Sequence, residues 1–163
     1  HKSITNQACT INSEILKTVI KKRWDIVCIN LPFFKGIISS FTQPGKCFAN
    51  ELSDRLKVIA CIEKPNLATS EDFLSILDKN DWIKIQKILN SKLNDAQVLV
   101  WGPKEDIATA IETVEERCKM AIYGVPDETR KACEDGTTIF ERVLPGANRM
   151  YPDTDSVPMP LNN

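Results

Sequence analysis

The residues best suited to chemistry lie near the C-terminal end of the chain, between Gly124 and Pro158. Arginine can bind a phosphate through two parallel hydrogen bonds, tyrosine can stack on a nucleic-acid base, and paired carboxylates can hold a hard cation. All three residue types occur here in close order. The candidates are Glu128, Arg130, Arg149, Tyr151, Asp153 and Asp155.

Each of these candidates also has a plain structural interpretation. Glu128 and Arg130 could form a local ion pair or cap, since charge pairs are common on protein surfaces and usually contribute little. Pro145, Gly146 and Pro152 are typical of a rigid turn whose polar groups bind its own backbone. The residue types alone leave both interpretations open.

Basic residues offer a second kind of chemistry, the binding of nucleic-acid phosphates, in which each contact adds to the salt dependence. The formal net charge is −1, so the chain has no overall field to attract a polyanion. A solvated helix end is therefore the alternative interpretation. The candidate phosphate contacts are Lys21, Lys22, Arg23, Lys35 and Lys46.

Several classes of site are not expected. The chain has neither a P-loop nor a dinucleotide-binding glycine pattern, so it predicts no nucleotide site of its own. Six cysteines occur without a CxxC pair and the only histidine is His1, which predicts no metal site. No apolar run is long enough to span a membrane, and no basic-then-apolar leader opens the chain. Because Met is absent from its start, we expect a part of a longer, cytoplasmic protein.

Hydrophobic periodicity predicts the elements that position these residues. Strands are predicted over 4–11, 25–31, 58–62 and 96–101, the first of them short, and a last strand is predicted over 137–143 in the C-terminal segment. Helices are predicted after Ser13, from Phe48, from Ser70, from Asn80 or Asp81, and over 107–122, with a short helical turn at Pro126. The pattern predicts an α+β fold, with helices on one face of a four-stranded, mostly antiparallel sheet. A parallel α/β arrangement is the alternative.

The segment 124–158 closely resembles a signature of the tRNA-dependent amidotransferases, above all the archaeal-type E subunit of glutamyl-tRNA(Gln) amidotransferase. Residues 31–36, 48–54, 95–100 and 110–117 also resemble that family in order and spacing. The resemblance extends over most of the chain.

The chain departs from the family at a few positions. The family usually has Gly where Phe33 stands, and it has Pro and Ala where Val143 and Asn148 stand. Around residues 61–67 it carries a polar His-Ser/Thr-Asp-Glu-Leu-Pro loop, which is replaced here. We therefore expect a divergent member.

The resemblance implies two parts. Residues 1–123 would form the inserted GAD domain, a two-layer α+β sandwich shared with bacterial-type aspartyl-tRNA synthetases. Residues 124–163 would form a returning segment of the catalytic cradle, with Glu128 and Arg130 facing the acyl-phosphate or tRNA-end pocket.

The family implies that ATP and Mg²⁺ serve the parent enzyme, although none is expected to bind this part, which should be inactive alone. Its implied partners are tRNA(Gln) charged with Glu, an amidohydrolase subunit that supplies ammonia, and the remainder of the E subunit, with no membrane.

Two other functions remain open. The chain could be a stand-alone GAD-like module that binds tRNA or protein without catalysis. It could also be the matching insert of an aspartyl-tRNA synthetase, an alternative with less support because 124–158 resembles the amidotransferase cradle.

Overall fold

The computed structural model describes residues 1–5, 13–71 and 76–144. Its elements in chain order are β1 (Lys2–Ser3), α1 (Glu14–Lys21), β2 (Asp25–Leu31), β3 (Phe41–Gln43), β4 (Lys46–Cys47), α2 (Phe48–Ile59), β5 (Leu67–Thr69), α3 (Lys79–Leu89), β6 (Ala96–Gly102), α4 (Ile107–Tyr123), β7 (Glu128–Ala132) and β8 (Thr138–Val143).

The main sheet has four strands in the order β1-β2-β6-β5, and every neighbouring pair is antiparallel. Strands β2 and β6 form its centre and pair over their full length, from Asp25 opposite Gly102 to Leu31 opposite Ala96. Every residue of β6 is buried. The predicted α+β fold with a four-stranded antiparallel sheet is therefore confirmed.

Helices α2 and α4 cover the sheet face that carries Val27 and Val100, and together they form the two-layer arrangement that was predicted. Helices α1 and α3 cover the opposite face, against Ile26 and Trp101, so helices lie on both faces of the sheet and not on one face as the sequence predicted. This second covered face follows from β2 and β6, whose side chains are almost all apolar on both sides and must be shielded from water.

Two small hairpins accompany the main sheet. Strands β3 and β4 form one of them. Strands β7 and β8 form the other, which turns at Gly136 with φ of 79°. This second hairpin packs on α2, where the Phe140 side chain is 3% exposed.

Most of the predicted elements are confirmed, but the strand predicted over 58–62 is wrong. Helix α2 continues to Ile59, because Leu52, Leu56 and Ala60 recur at helical spacing and are all buried. Val58, on the outer side of the helix, is 46% exposed. The next strand after α2 is β5, which begins only at Leu67.

The helical turn predicted at Pro126 is also wrong, because the chain there leads directly into β7. The inward side chains of β7 are charged rather than apolar, so its sequence shows no strand periodicity. The short strand predicted over 4–11 lies largely in 6–12, outside the described residues. Likewise, Phe73 and Leu74 of the helix predicted from Ser70 lie outside them, and Leu77 lies in a bend before α3.

Candidate functional site

A buried network of charged side chains joins the β7–β8 hairpin to the helices. Its members are Glu51 and Arg55 on α2, Arg117 on α4, and Glu128 and Arg130 on β7. We call these five residues the ionic network.

Local structure explains why these side chains meet. Glu51 and Arg55 are four residues apart, which places them on one face of α2. Glu128 and Arg130 are two residues apart on β7, which places them on one face of the strand. Since β8 packs along α2, the two faces oppose each other beneath the hairpin.

The contacts form a continuous chain of ion pairs. Arg117 Nη2 lies 2.7 Å from Glu51 Oε2, and Arg130 Nη2 lies 3.6 Å from Glu51 Oε1. Arg130 Nη1 lies 2.5 Å from Glu128 Oε1, while Arg55 Nη2 pairs with Glu128 Oε2. Arg130 thus bridges the two carboxylates.

Burial makes the charges of the ionic network costly, because they lose their contact with water. Three guanidinium groups face two carboxylates, so the network carries one excess positive charge. The pKa of Arg55 is lowered to about 10, first by burial and second by the nearby positive charge of Arg117. Arg117 Nε has no hydrogen-bond partner within the described part of the chain.

Aromatic rings line two of the cations. The Arg55 guanidinium lies 4.4 Å from the centroid of the Phe140 ring, and that of Arg117 lies 4.7 Å from the Phe48 ring. A desolvated cation is stabilised over a ring face. The rings therefore provide part of the solvation that the arginines lose on burial.

A second polar contact holds the same hairpin to β3 and β4. The Gln43 side-chain amide donates to the Thr138 carbonyl at 3.0 Å, and its oxygen accepts from the Thr138 backbone N–H at 2.6 Å. Lys46 Nζ also donates to this carbonyl at 3.5 Å. The side chain of Gln43 thus pairs with the edge of β8 as another strand would.

The structure places Glu128 and Arg130 inside the ionic network, beneath the hairpin. Both make the kind of ion pair that the structural interpretation describes. The other candidates of this group, Arg149, Tyr151, Asp153 and Asp155, lie outside the described residues.

The predicted phosphate contacts lie in three separate places. Lys21, Lys22 and Arg23 are exposed at the end of α1, where Lys22 Nζ lies 4.6 Å from the centroid of the Trp24 ring. Lys35 is exposed in the loop after β2. Lys46 is half-buried against the β7–β8 hairpin, where its ammonium group donates a hydrogen bond to the Thr138 carbonyl of β8.

Sequence reasoning missed Glu51, Arg55 and Arg117. A signal for the first two does exist, because they occupy positions next to the buried Leu52 and Leu56 of an amphipathic helix. Charged residues beside an apolar stripe normally belong to its solvated border. Here the hairpin covers that border, a tertiary contact that no local pattern in the sequence reveals.

Apart from the ionic network, the described residues line several cavities, one of which adjoins the β3–β4 hairpin. This cavity measures about 570 Å³ and lies among β3, α2 and β5, with Ser53, Asn66 and Thr69 among its lining residues. No group of three or more His, Cys, Asp or Glu side chains within 1–5, 13–71 and 76–144 is arranged to hold a metal ion. None of the helices in those ranges is both long and apolar enough to cross a membrane.

Curated proteins provide the comparison with known sequences. The chain is 37% identical over 161 residues to the glutamyl-tRNA(Gln) amidotransferase E subunit of Methanococcus maripaludis, covering 94% of the chain and 24% of that protein. It is 37% identical over 155 residues to the E subunit of Methanocaldococcus jannaschii, covering 90% and 23%. For the Pyrococcus abyssi protein of the same name the identity is 38% over 152 residues, covering 90% and 23%.

The chain thus spans about a quarter of the length of these relatives while matching nearly all of itself. No protein-family model matches the chain.

Proposed function

We propose that this chain, a homologue of part of the archaeal glutamyl-tRNA(Gln) amidotransferase E subunits, works as one part of such an enzyme. The observation that carries the proposal is 37% identity sustained over 94% of the chain. The reaction would convert Glu-tRNA(Gln) to Gln-tRNA(Gln) in the cytoplasm. Its partners would be the charged tRNA, an amidohydrolase subunit that releases ammonia, and the remainder of the E subunit.

The proposed reaction must first activate the γ-carboxylate of the tRNA-bound glutamate. A carboxylate is a poor acyl donor, because its leaving group would be an oxide ion. Transfer of the terminal phosphoryl group of ATP to the γ-carboxylate of the tRNA-bound glutamate gives a phosphate leaving group and ADP. Ammonia then forms the amide bond as phosphate departs. Mg²⁺ and cationic side chains would neutralise the charge of the transferred phosphoryl group. No described residue is assigned to ATP or Mg²⁺.

The composition of the hydrophobic cores favours a division at about residue 123, even though the β7–β8 hairpin also packs on α2 through the ionic network and Phe140. Both hydrophobic cores are built from residues up to Cys118, and their strands all belong to the main sheet. Strands β7 and β8 pair only with each other. We propose that 1–123 is the inserted accessory domain and that 124–163 returns to the catalytic cradle. On this division the isolated chain is inactive.

Reconstitution tests the proposal. The full-length protein that contains this chain would be mixed with its amidohydrolase partner, Glu-tRNA(Gln), glutamine, ATP and Mg²⁺, and the aminoacyl group would be identified after deacylation. We expect Gln-tRNA(Gln) to form only when ATP and both subunits are present. Complete recovery of glutamate from the full reaction would contradict the proposal.

The two closed cores also favour a second candidate, a stand-alone binding module without catalysis. The gene sequence upstream separates the two functions. A catalytic cradle encoded in frame before residue 1 supports the amidotransferase, whereas a start codon close to residue 1 supports the module.

A further inference from the structure

Phe33 lies in a turn that would suit glycine far better. The turn spans Leu31–Phe34, closed by a hydrogen bond from the Phe34 N–H to the Leu31 carbonyl at 3.4 Å. Pro32 occupies its second position and Phe33, with φ of 63°, its third. This is the arrangement of a type II turn, in which the third residue needs a positive φ and is normally Gly or Asn. A bulky aromatic residue with this φ is a genuine outlier.

The strained turn does not bury the ring. The Phe33 residue is 74% exposed, whereas the neighbouring Phe34 is 6% exposed and packs in the core. Core packing therefore explains Phe34 but not Phe33. A strained backbone persists where the surroundings fix it, and such positions cluster at functional sites.

The surroundings do fix this loop. Asp95 Oδ1 accepts from the Phe33 N–H at 3.4 Å, and Oδ2 accepts from Asn30 Nδ2 at 2.8 Å and from the Lys92 N–H at 2.9 Å. In addition, the Lys35 N–H donates to the Asn94 carbonyl at 3.2 Å. The loop after β2 and the loop before β6 are thus tied into one platform that holds the Phe33 ring in solvent.

Two lysines accompany the ring. Lys35 and Lys92 are exposed and, together with Glu71, Gln86 and Asp95, line a polar cleft of about 370 Å³ beside the loop that carries Phe33. Neither side chain forms an ion pair with any residue in the described ranges. Among the described residues, Lys92 has an electrostatic partner in Asp95, whose pKa is lowered chiefly by hydrogen bonds, the largest effect coming from Asn30, and to a smaller extent by the charge of Lys92.

Two carboxylates also line the cleft, but both are engaged by the loops themselves. Glu71 accepts from the Gly36 N–H at 2.5 Å and from the Ser39 N–H and hydroxyl at 3.2 and 2.9 Å. Asp95 accepts the three hydrogen bonds described above. Their oxygens accept from backbone and side-chain donors of the surrounding residues, whereas Lys35 and Lys92 are the exposed charges of the cleft.

We propose that Phe33 is a stacking platform for an unpaired RNA base, with Lys35 and Lys92 binding the adjoining phosphates. The inference deepens the proposed function, on which the choice of RNA rests. An exposed, rigid aromatic ring flanked by unpaired cations is the usual arrangement for single-stranded nucleic acid, because every base offers a face for stacking. Double-stranded RNA keeps its bases stacked on one another and offers phosphates alone.

The test measures fluorescence anisotropy of a labelled eight-nucleotide oligoadenylate, with an RNA duplex of the same length as the comparison. We expect Phe33→Gly to weaken binding of the single strand by at least about fivefold, because one stacked base is lost. Binding of the duplex should be unchanged. Since glycine relieves the positive φ, Phe33→Gly should not lower the Tm.

Matched variants separate stacking from general surface effects. Phe41 is 76% exposed on β3, so Phe41→Ala removes an equally exposed ring on a different element and should leave binding unchanged. The double variant Lys35→Ala/Lys92→Ala should reduce the slope of log affinity against log salt by about 1.4, since each phosphate contact contributes about 0.7 for a single strand. Lys119→Ala on α4 is the control for charge.

Equal affinity of Phe33→Gly and the unaltered chain for the single strand would overturn the inference, and so would absence of measurable binding by the unaltered chain. Failure of the proposed function gives a different result. A Phe33-dependent affinity for single-stranded RNA, together with no amidation by the full-length protein, would sustain the platform and reject the enzyme.

Discussion

Arg55 on α2 and Glu128 on β7 form an ion pair whose side chains are only 2% and 4% exposed. They are 73 residues apart in the sequence. Their pairing fixes the hairpin to the helical layer at a point that solvent scarcely reaches. Charges at such a position are costly to bury; Glu128 also pairs with Arg130, whereas Arg55 pairs with no other carboxylate among the described residues.

Glu128→Gln should lower the free energy of unfolding by about 3–5 kcal/mol, because it leaves the Arg55 guanidinium buried without its counter-charge. Urea denaturation followed by tryptophan fluorescence measures this loss. Glu141→Gln, on the exposed part of β8, is the matched control and should change stability by less than about 0.5 kcal/mol. A loss from Glu128→Gln no larger than that of the control would contradict the importance of the pair.

The double variant Arg55→Met/Glu128→Leu should recover most of the stability lost in either single variant. Two apolar side chains of similar volume remove both desolvation costs at once, and buried ion pairs replaced in this way are often neutral or stabilising. A double-mutant cycle on the same denaturation assay gives the coupling energy. Additive losses would show that the two side chains act independently.

Gln43→Leu should destabilise the protein by about 1–3 kcal/mol and expose the Thr138 amide to exchange. The substitution removes both hydrogen bonds that the Gln43 side chain makes with the Thr138 backbone. Hydrogen exchange measured by NMR should show loss of protection at Thr138. Thr42→Ala, one residue earlier on β3, is the control, and equal protection in both variants would contradict the role of Gln43.

Gly102→Ala should cost about 1–3 kcal/mol through overpacking. A Cβ at Gly102 would lie 2.6 Å from Ile62 Cδ1. Ile62→Val removes that methyl group, so the double variant should be more stable than Gly102→Ala alone. Thermal unfolding would be measured for Gly102→Ala, Ile62→Val and the double variant. A double variant no more stable than Gly102→Ala would show that the added Cβ does not clash with the Ile62 Cδ1 methyl group.

Asp95→Asn should reduce the dependence of stability on pH in the acid range. Hydrogen bonds from the Asn30 side chain and from the Lys92 backbone hold the pKa of Asp95 below its ordinary value of 3.8. The unfolded chain therefore takes up this proton at a higher pH than the folded protein. The stabilisation from Asp95 is present above 3.8 and is lost as the pH falls through the lower folded pKa.

Thermal unfolding between about pH 5 and pH 2 measures this effect. The unaltered chain should lose more Tm on acidification than Asp95→Asn, because the variant has no carboxyl group to protonate at this position. Parallel profiles for the two proteins would contradict the assignment.

The apolar elements could be predicted from the sequence because their signal is local. β2 and α4 follow from compact or helically spaced apolar residues, and the structure confirms both. The sequence pattern was insufficient around Val58, because a short apolar run at the end of a helix has the same pattern as a short buried strand. Only the contacts of the whole fold decide between them.

The candidate site was less accessible to sequence reasoning. Glu128 and Arg130 could be singled out as a pair, but their counterparts Glu51 and Arg117 are distant in the sequence. Long-range pairing depends on how the hairpin packs against α2, which no periodicity records. The strained φ of Phe33 was likewise invisible, although Pro32 before it does indicate a turn.

The attachment of the hairpin has a mechanical consequence. A displacement of β7 that separated Glu128 from Arg55 would leave a guanidinium ion buried without its counter-charge, so such displacements are opposed by a large desolvation cost. A force applied to the hairpin tip near Gly136 would therefore be transmitted to both α2 and α4, which carry the residues that pair with β7 or with one another in the ionic network. The main sheet, which both helices contact or cover, thereby fixes the orientation of the hairpin as far as Leu144, the last residue that the structure describes.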